Sequence, residues 1–274
     1  MRIEQATRSH TGLVRRRNED AWSAWPRSGS GVFEAELAVF GVADGMGGHP
    51  GGDVASSLAV SVVTELGAPS FGTPRDHLRQ LYRLAARKIS GAVRERPELE
   101  QMGTTLTVAV LRPGEVWVGH VGDSRLYWVR AGEIALVTRD HTLAQELIAS
   151  HMLDAEHAES HYSSHVLTRC LGVCPDQAPD LLVRPLRPQP GDCLLLASDG
   201  LIKAVPTARI PALLADRSAD AAVEALEEAA LAGGAPDNVT VVLARFASTG
   251  ETAADARGPG VEFEGAAAAE WTKG

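Results

Sequence analysis

Asp44, Asp123, Asp199 and Asp237 each fall where an apolar, β-patterned run meets a turn containing Gly, Ser or Asn, and Glu19 and Asp20 follow the basic cluster Arg15-Arg16-Arg17. Taken singly, an Asp-Gly after a strand reads as a tight turn. As a set these residues say more. Strand ends that share a sheet edge lie close together, and carboxylates gathered there repel one another unless a cation neutralises them. Oxygen-only ligation suits hard ions, magnesium or manganese, rather than zinc. Two such ions in a carboxylate site suit phosphoester hydrolysis, because they generate a hydroxide and clamp the attacking and leaving oxygens of an in-line displacement.

The elements that must position these groups are legible as changes of period. Leu37–Val42 (LAVFGV) is an apolar run ending in Asp-Gly, a buried strand entering a turn. From Gly52, Val54, Leu58, Val62 and Leu66 recur every four residues, which predicts an amphipathic helix. Thr73-Pro74 offers an N-cap and a first-turn proline for a second helix, with Leu78, Leu81, Ala85, Ile89 and Ala92 as its apolar stripe. Thr104–Leu111 alternates, turns at Arg112–Glu115 into Val116–Val121, and continues as a meander through Arg125–Arg130 and Glu133–Val137. Residues 142–165 read as helix and loop. Cys193–Ala197 is a fully apolar strand ending at Asp199-Gly200; a helix over Ala219–Leu231 with Ser218 as cap and a last strand, Val239–Phe246, complete the body. Strands dominate the centre and helices come in separate blocks, so the fold class is α+β, antiparallel sheets with helices packed outside.

The chain has 274 residues, 45% of them hydrophobic and 22% charged, which is a globular composition. Its net charge of −9 tilts against nucleic acid as a partner, since duplex binding needs a basic face. No stretch approaches the roughly 18 apolar residues of a membrane span. The first twenty residues are charged throughout and carry no apolar signal core, so the expected location is cytoplasmic. Cys170 and Cys174, spaced Cx3C without a second pair, read as buried thiols. After Phe246 the sequence turns rich in Ala, Gly, Glu and Thr, and residues 248–274 read as a mobile tail behind a body of 1–247.

Arg15-x-x-Asn18-Glu19-Asp20, Asp44-Gly45-Met46-Gly47-Gly48-His49, Gly103-Thr104-Thr105, Gly122-Asp123-Ser124-Arg125, Asp140-His141, Leu167-Thr168-Arg169 with Leu171-Gly172, Ser198-Asp199-Gly200 and Asp237-Asn238-Val239-Thr240 occur in this order. The set resembles the metal-dependent protein phosphatases (PPM family, type 2C) in their compact bacterial form, over roughly residues 3–246. The resemblance implies a four-layer α/β/β/α sandwich of two antiparallel sheets flanked by helices. It implies hydrolysis of phosphoserine and phosphothreonine in proteins by a metal-bridging hydroxide, opposing a Ser/Thr kinase, with manganese or magnesium as cofactor. By the same resemblance Asp44, Asp199 and Asp237 hold the first ion. Asp44 and the Gly45 carbonyl serve the second, with Glu19 or Asp20 helping directly or through water. Asp123 with Asp199 matches a weaker third site, and Arg15 the arginine that contacts the substrate phosphate. A forked guanidinium suits a phosphoryl dianion. A monomer is expected.

Two departures from the family pattern carry consequences. Met46 stands where many eukaryotic members carry a histidine, and His49 need not reach, so no side chain is assigned as general acid. The flap segment 143–165 carries His151, His157, His161 and His165. Their spacing closes no ligand set, so they read as exposed flap side chains, with a pH or metal role as the alternative. His141 is expected to support the metal site. The competing functions are a catalytically weak phosphoprotein-binding module of the same fold and a two-metal nuclease. The intact carboxylate set disfavours the first, and the charge of −9 without a basic or aromatic stripe disfavours the second.

Overall fold

The computed structural model describes residues 1–26, 30–46, 51–67, 72–158, 161–174, 177–247 and the backbone of 263–264. In chain order the first half forms β1 (Arg2–His10), β2 (Asp20–Trp25), β3 (Gly31–Glu34), β4 (Ala38–Asp44), α1 (Gly52–Leu66), α2 (Pro74–Glu95), β5 (Gly103–Thr104), β6 (Leu106–Arg112), β7 (Glu115–Val121), β8 (Arg125–Arg130) and β9 (Glu133–Leu136). The second half forms α3 (Leu143–Ala149), α4 (Ala155–Ala158), β10 (Leu171–Gly172), β11 (Asp180–Leu182), β12 (Cys193–Ala197), α5 (Asp199–Ala204), α6 (Ile210–Leu214), α7 (Ala219–Ala232), β13 (Val239–Phe246) and β14 (Phe263–Glu264).

Two six-stranded sheets stack at the centre, in the orders β3-β1-β13-β12-β8-β9 and β14-β11-β7-β6-β4-β2. Neighbouring strands run antiparallel. Three apolar layers hold them. Phe40, Val42, Leu111 and Val118 of one sheet meet Ile3, Trp128, Leu194, Leu196 and Val242 of the other. Outside, Val39, Ala43, Val108 and Val110 pack on α1 and α2, while Leu195, Ala197, Val241 and Leu243 pack on α5, α6 and α7. This is the four-layer α/β/β/α sandwich expected.

Covering both faces of each sheet explains why β4 and β12 read as continuous apolar runs. It also changes the reading of 104–111. The alternation there is not one of buried and exposed positions, since Leu106–Leu111 is buried throughout and only Arg112 is exposed. The supposed meander divides as well: β6 and β7 belong to one sheet, β8 and β9 to the other. The turn Gly122-Asp123-Ser124 therefore crosses between sheets.

Helix α2 begins as its sequence predicts. The Thr73 hydroxyl accepts from the Asp76 amide while the Asp76 carboxylate accepts from the Thr73 amide, closing a capping box with Pro74 in the first turn. Helix α1 has the expected span but a different buried face. Ala55, Ala59, Val62 and Val63 are buried, whereas Val54, Leu58 and Leu66 only flank the core, because a helix lying close on a sheet favours its small residues.

Cys170 and Cys174 are buried as expected, but they are joined in a disulfide rather than free; Cys193 is the free buried thiol. Their Cα atoms stand 5.3 Å apart, within bridging range. In the segment beyond Phe246, the backbone of Phe263–Glu264 pairs with β11, opposite Leu182 and Leu181. The rest of 248–274 lies outside the described residues, as do Gly47, Gly48 and His49.

Candidate active site

One edge of the sandwich collects the carboxylates, because the strand ends that carry them all emerge there. Asp20 opens β2 and lies directly opposite Asp44, the last residue of β4. The Asp44 backbone is fixed on both sides: its amide donates to Thr105 Oγ1 at 2.8 Å, and its carbonyl accepts from the Thr105 amide and from Thr104 Oγ1, each at 2.9 Å. The Gly45 amide donates to the Glu19 carbonyl at 3.1 Å. A Cβ at Gly45 would come within 2.2 Å of the Gly52 carbonyl oxygen, so only glycine lets the strand end meet the start of α1.

The other sheet supplies Asp199, at the start of α5, and Asp237, just before β13. These two elements touch at Gly200, where an added Cβ would sit 1.9 Å from the Asn238 carbonyl oxygen. The Asn238 side chain ties the loops together. Its oxygen accepts from the Glu19 amide at 2.8 Å, and its nitrogen donates to the carbonyls of Thr11 and Arg17 at 2.8 and 2.9 Å. Ser198 Oγ accepts from the Thr240 amide at 3.0 Å and donates to Asp20 Oδ2 at 2.7 Å.

Asp123 stands on the turn between sheets. His141 pins that turn: its amide donates to the Gly122 carbonyl at 2.7 Å, and its Nδ1 accepts from the Gly122 amide at 3.1 Å. That arrangement leaves Nε2 as the protonated nitrogen, donating to Asp180 Oδ2 at 3.1 Å, and Asp180 Oδ1 takes a 2.7 Å bond from Arg169. His141 thus supports the site from behind, at the backbone of Asp123's neighbour.

Arg15, Glu19, Asp44, Gly45, Asp123, Asp199 and Asp237 line one cavity of about 540 Å³, together with Met46, His165 and Lys203. Asp20 does not line it; its carboxylate lies behind, on Ser198. Arg15 grips Asp237 with two prongs, Nε to Oδ1 at 2.8 Å and Nη2 to Oδ2 at 2.9 Å, and remains 41% exposed. Arg16 and Arg17 do not line the cavity, and Arg17 pairs with Asp53. Of the flap histidines, His151 and His157 are exposed and His161 bonds Ser163 locally. His165, also exposed, reaches the cavity wall.

The electrostatics are those of an acidic cluster that Arg15 and Lys203 compensate only at Asp199 and Asp237. Burial, then the charges of Asp20 and Asp199, hold Asp44 well above the usual carboxylate range. Burial and Asp199 do the same to Asp123. Asp20 is pushed up to about 7, chiefly by burial, against the lowering effect of its Ser198 hydrogen bond. Glu19 is raised by burial and by Asp53. Asp237 moves down: burial opposes the shift, but Lys203 and Arg15 outweigh it. Two carboxylate oxygens, Asp20 Oδ1 and Asp199 Oδ1, are buried without a hydrogen-bond partner. Orphaned anionic oxygens beside mutually repelling carboxylates fit a hard divalent cation. Among the described residues no three acidic, His or Cys side chains enclose an ion as they stand. Asp199 and Asp237 are engaged instead by cationic side chains.

The family model described as protein phosphatase 2C matches residues 9–234. The chain belongs to the protein phosphatase 2C family. It is 37% identical over 245 residues to the serine/threonine protein phosphatase PstP of Mycobacterium tuberculosis, covering 88% of this chain but only 45% of that protein's length. It is 34% identical over 247 residues to the serine/threonine phosphatase stp of Listeria welshimeri, covering 86% of this chain and 93% of that protein. The structure of the catalytic domain of PstP in complex with two manganese ions superposes with a TM-score of 0.77 at 33% identity, covering 90% of this chain and 99% of that one.

One charged group of this family member escaped the sequence reading. Lys203 Nζ lies 2.5 Å from Asp199 Oδ2 and 2.8 Å from Asp237 Oδ2. Burial of its ammonium favours deprotonation, but Asp199 and Asp237 outweigh that and the net shift is upward. The signal was present in the spacing, since Lys203 follows Asp199 by four residues on a helix. The scaffold role of Asn238 has no comparable one-dimensional signal.

Proposed function

We propose that this chain hydrolyses phosphoserine and phosphothreonine in proteins, using two divalent ions, manganese or magnesium, and a third held more weakly. The observation that carries the reading is the single cavity onto which Arg15, Glu19, Asp44, Asp123, Asp199 and Asp237 converge from both sheets. Asp44, Asp199 and Asp237 would hold the first ion, Asp44 and the Gly45 carbonyl the second with help from Glu19, and Asp123 with Asp199 the third. When bound, the ions supply activation of water and neutralisation of the phosphoryl charge.

The chain's own groups bind and orient. Arg15 presents its fork at the mouth of the cavity, where it can exchange the Asp237 carboxylate for the oxygens of a phosphoryl group, and its charge needs no proton change to do so. Thr104 and Thr105 hold the Asp44 backbone, and His141 holds the turn carrying Asp123, so the carboxylates need little reorganisation to act. The Met46 thioether has no proton to give a leaving alkoxide. Substrates of this kind imply an opposing Ser/Thr kinase as the partner in regulation. Among the described residues no helix is long and apolar enough to cross a membrane.

The test is a side-by-side assay with manganese on a phosphothreonine peptide and on single-stranded DNA. Release of phosphate from the peptide with the DNA left intact supports the reading; cleavage of the DNA alone would replace it with a nuclease. Asp199→Asn as a trap, read by phosphopeptide mass spectrometry, identifies the substrates.

A further inference from the structure

Lys203 is a cation inside a site built to hold cations. Helix α5 starts at Asp199, and the four-residue spacing brings Lys203 back over that carboxylate. A helical pair alone would leave the ammonium on Asp199. Here it reaches a second carboxylate on a different element, Asp237, in the loop before β13. Lys203 also lies on the partition between two spaces. It lines the main cavity and, with Asp123, Asp199 and His165, a neighbouring cavity of about 280 Å³ bounded by Arg125, Asp140 and Gln145. Asp123 and Asp199 are the pair to which the weaker third ion is assigned. An ion there must share Asp199 with an ammonium that is covalently tethered and only 27% exposed. A tethered competitor does not dilute away.

We infer that Lys203 is a built-in competing cation for the metal positions that use Asp199, with its effect read most clearly at the weakest of them, at Asp123 and Asp199. The inference rests on the metal-dependent reading above and deepens it. A neighbouring positive charge disfavours a divalent ion, and partial shielding from water preserves the effect against salt. Lys203 is therefore an affinity-determining residue, acting on the ion through the shared carboxylate.

The experiment is a manganese titration of the full chain by isothermal calorimetry, with free manganese counted by electron paramagnetic resonance and no substrate present. Lys203→Met removes the charge at similar length, Lys203→Gln is a second neutral variant, and Lys203→Arg keeps the charge. The expected result is that both neutral variants tighten the weakest manganese site by at least about tenfold, with Lys203→Arg close to the native chain. After chelation, the neutral variants should also melt lower than the native chain and gain more from added manganese, since their carboxylates then lack the ammonium. Unchanged or weaker manganese binding in the neutral variants overturns the inference while leaving the metal site standing. A native chain that binds no manganese sinks the metal reading itself, and the inference with it.

Discussion

Asp44 and Asp123 both lie at strand ends, and burial and neighbouring carboxylates raise both. They differ in what they face. Asp44 pairs across the ladder with Asp20 and lines only the main cavity of the two, whereas Asp123 also lines the second cavity beside Lys203. Substitutions should rank accordingly. Asp44→Asn and Asp199→Asn should each lower turnover of a phosphothreonine peptide by more than about a hundredfold, the upper end of what supporting residues of metal sites are worth. Asp123→Asn should retain a measurable fraction and need more metal. Equal, mild losses in all three would contradict the assignment. Arg15 is tested in the same assay at saturating metal. Arg15→Ala should raise KM and lower kcat/KM by about 1.5–3 kcal/mol, and Arg15→Lys should recover part of that, since a point charge cannot reproduce the fork. Arg16→Ala and Arg17→Ala make the same charge change away from the cavity; losses as large as that of Arg15→Ala would reduce the effect to general electrostatics.

At the scale of elements, the turn that carries Asp123 depends on a buried chain of contacts from Arg169 through Asp180 to His141. Burial would raise the Asp180 carboxyl, but the His141 and Arg169 bonds outweigh it and hold it at about 2. A carboxyl depressed in the folded state stabilises the protein above its unfolded pKa, and that contribution fades as pH falls toward the folded value. Asp180→Asn should therefore lose about 2 kcal/mol in urea unfolding at pH 7, with the difference from the native chain shrinking between pH 4 and pH 2. A difference that does not change with pH would assign the loss to packing. This chain of contacts shows what the sequence leaves implicit. Asp140-His141 was recognisable as a motif, yet its partners Asp180 and Arg169 lie 39 and 28 residues onward, and folding alone brings them together. Strands β1 and β2 escaped for a different reason. Each buries polar residues, Gln5 and Thr7 in β1 and Ser23 in β2, so RIEQATRSH and DAWSAW show no clean apolar two-residue period. Apolar strands such as β4, β12 and β13 were legible because both their faces are covered.

For the molecule as a whole, two sheets share one acidic edge, and the helices outside protect the rest. The carboxylates were visible in the sequence because strand-ending Asp residues recur in turns. The capture of Asp237 by Arg15 was not, because that ion pair spans 222 residues. Holding so many acidic groups together is electrostatically unfavourable unless cations compensate, and Arg15 and Lys203 reach only Asp199 and Asp237, which is why the proposed function assigns divalent ions to the rest. The decisive measurement is phosphate release from a phosphothreonine peptide by chelator-treated protein, before and after each metal is restored. The expected result is no activity in excess EDTA, recovery with manganese or magnesium, and none with calcium, which is larger and less effective at lowering the pKa of bound water. Full activity in excess EDTA would contradict the account.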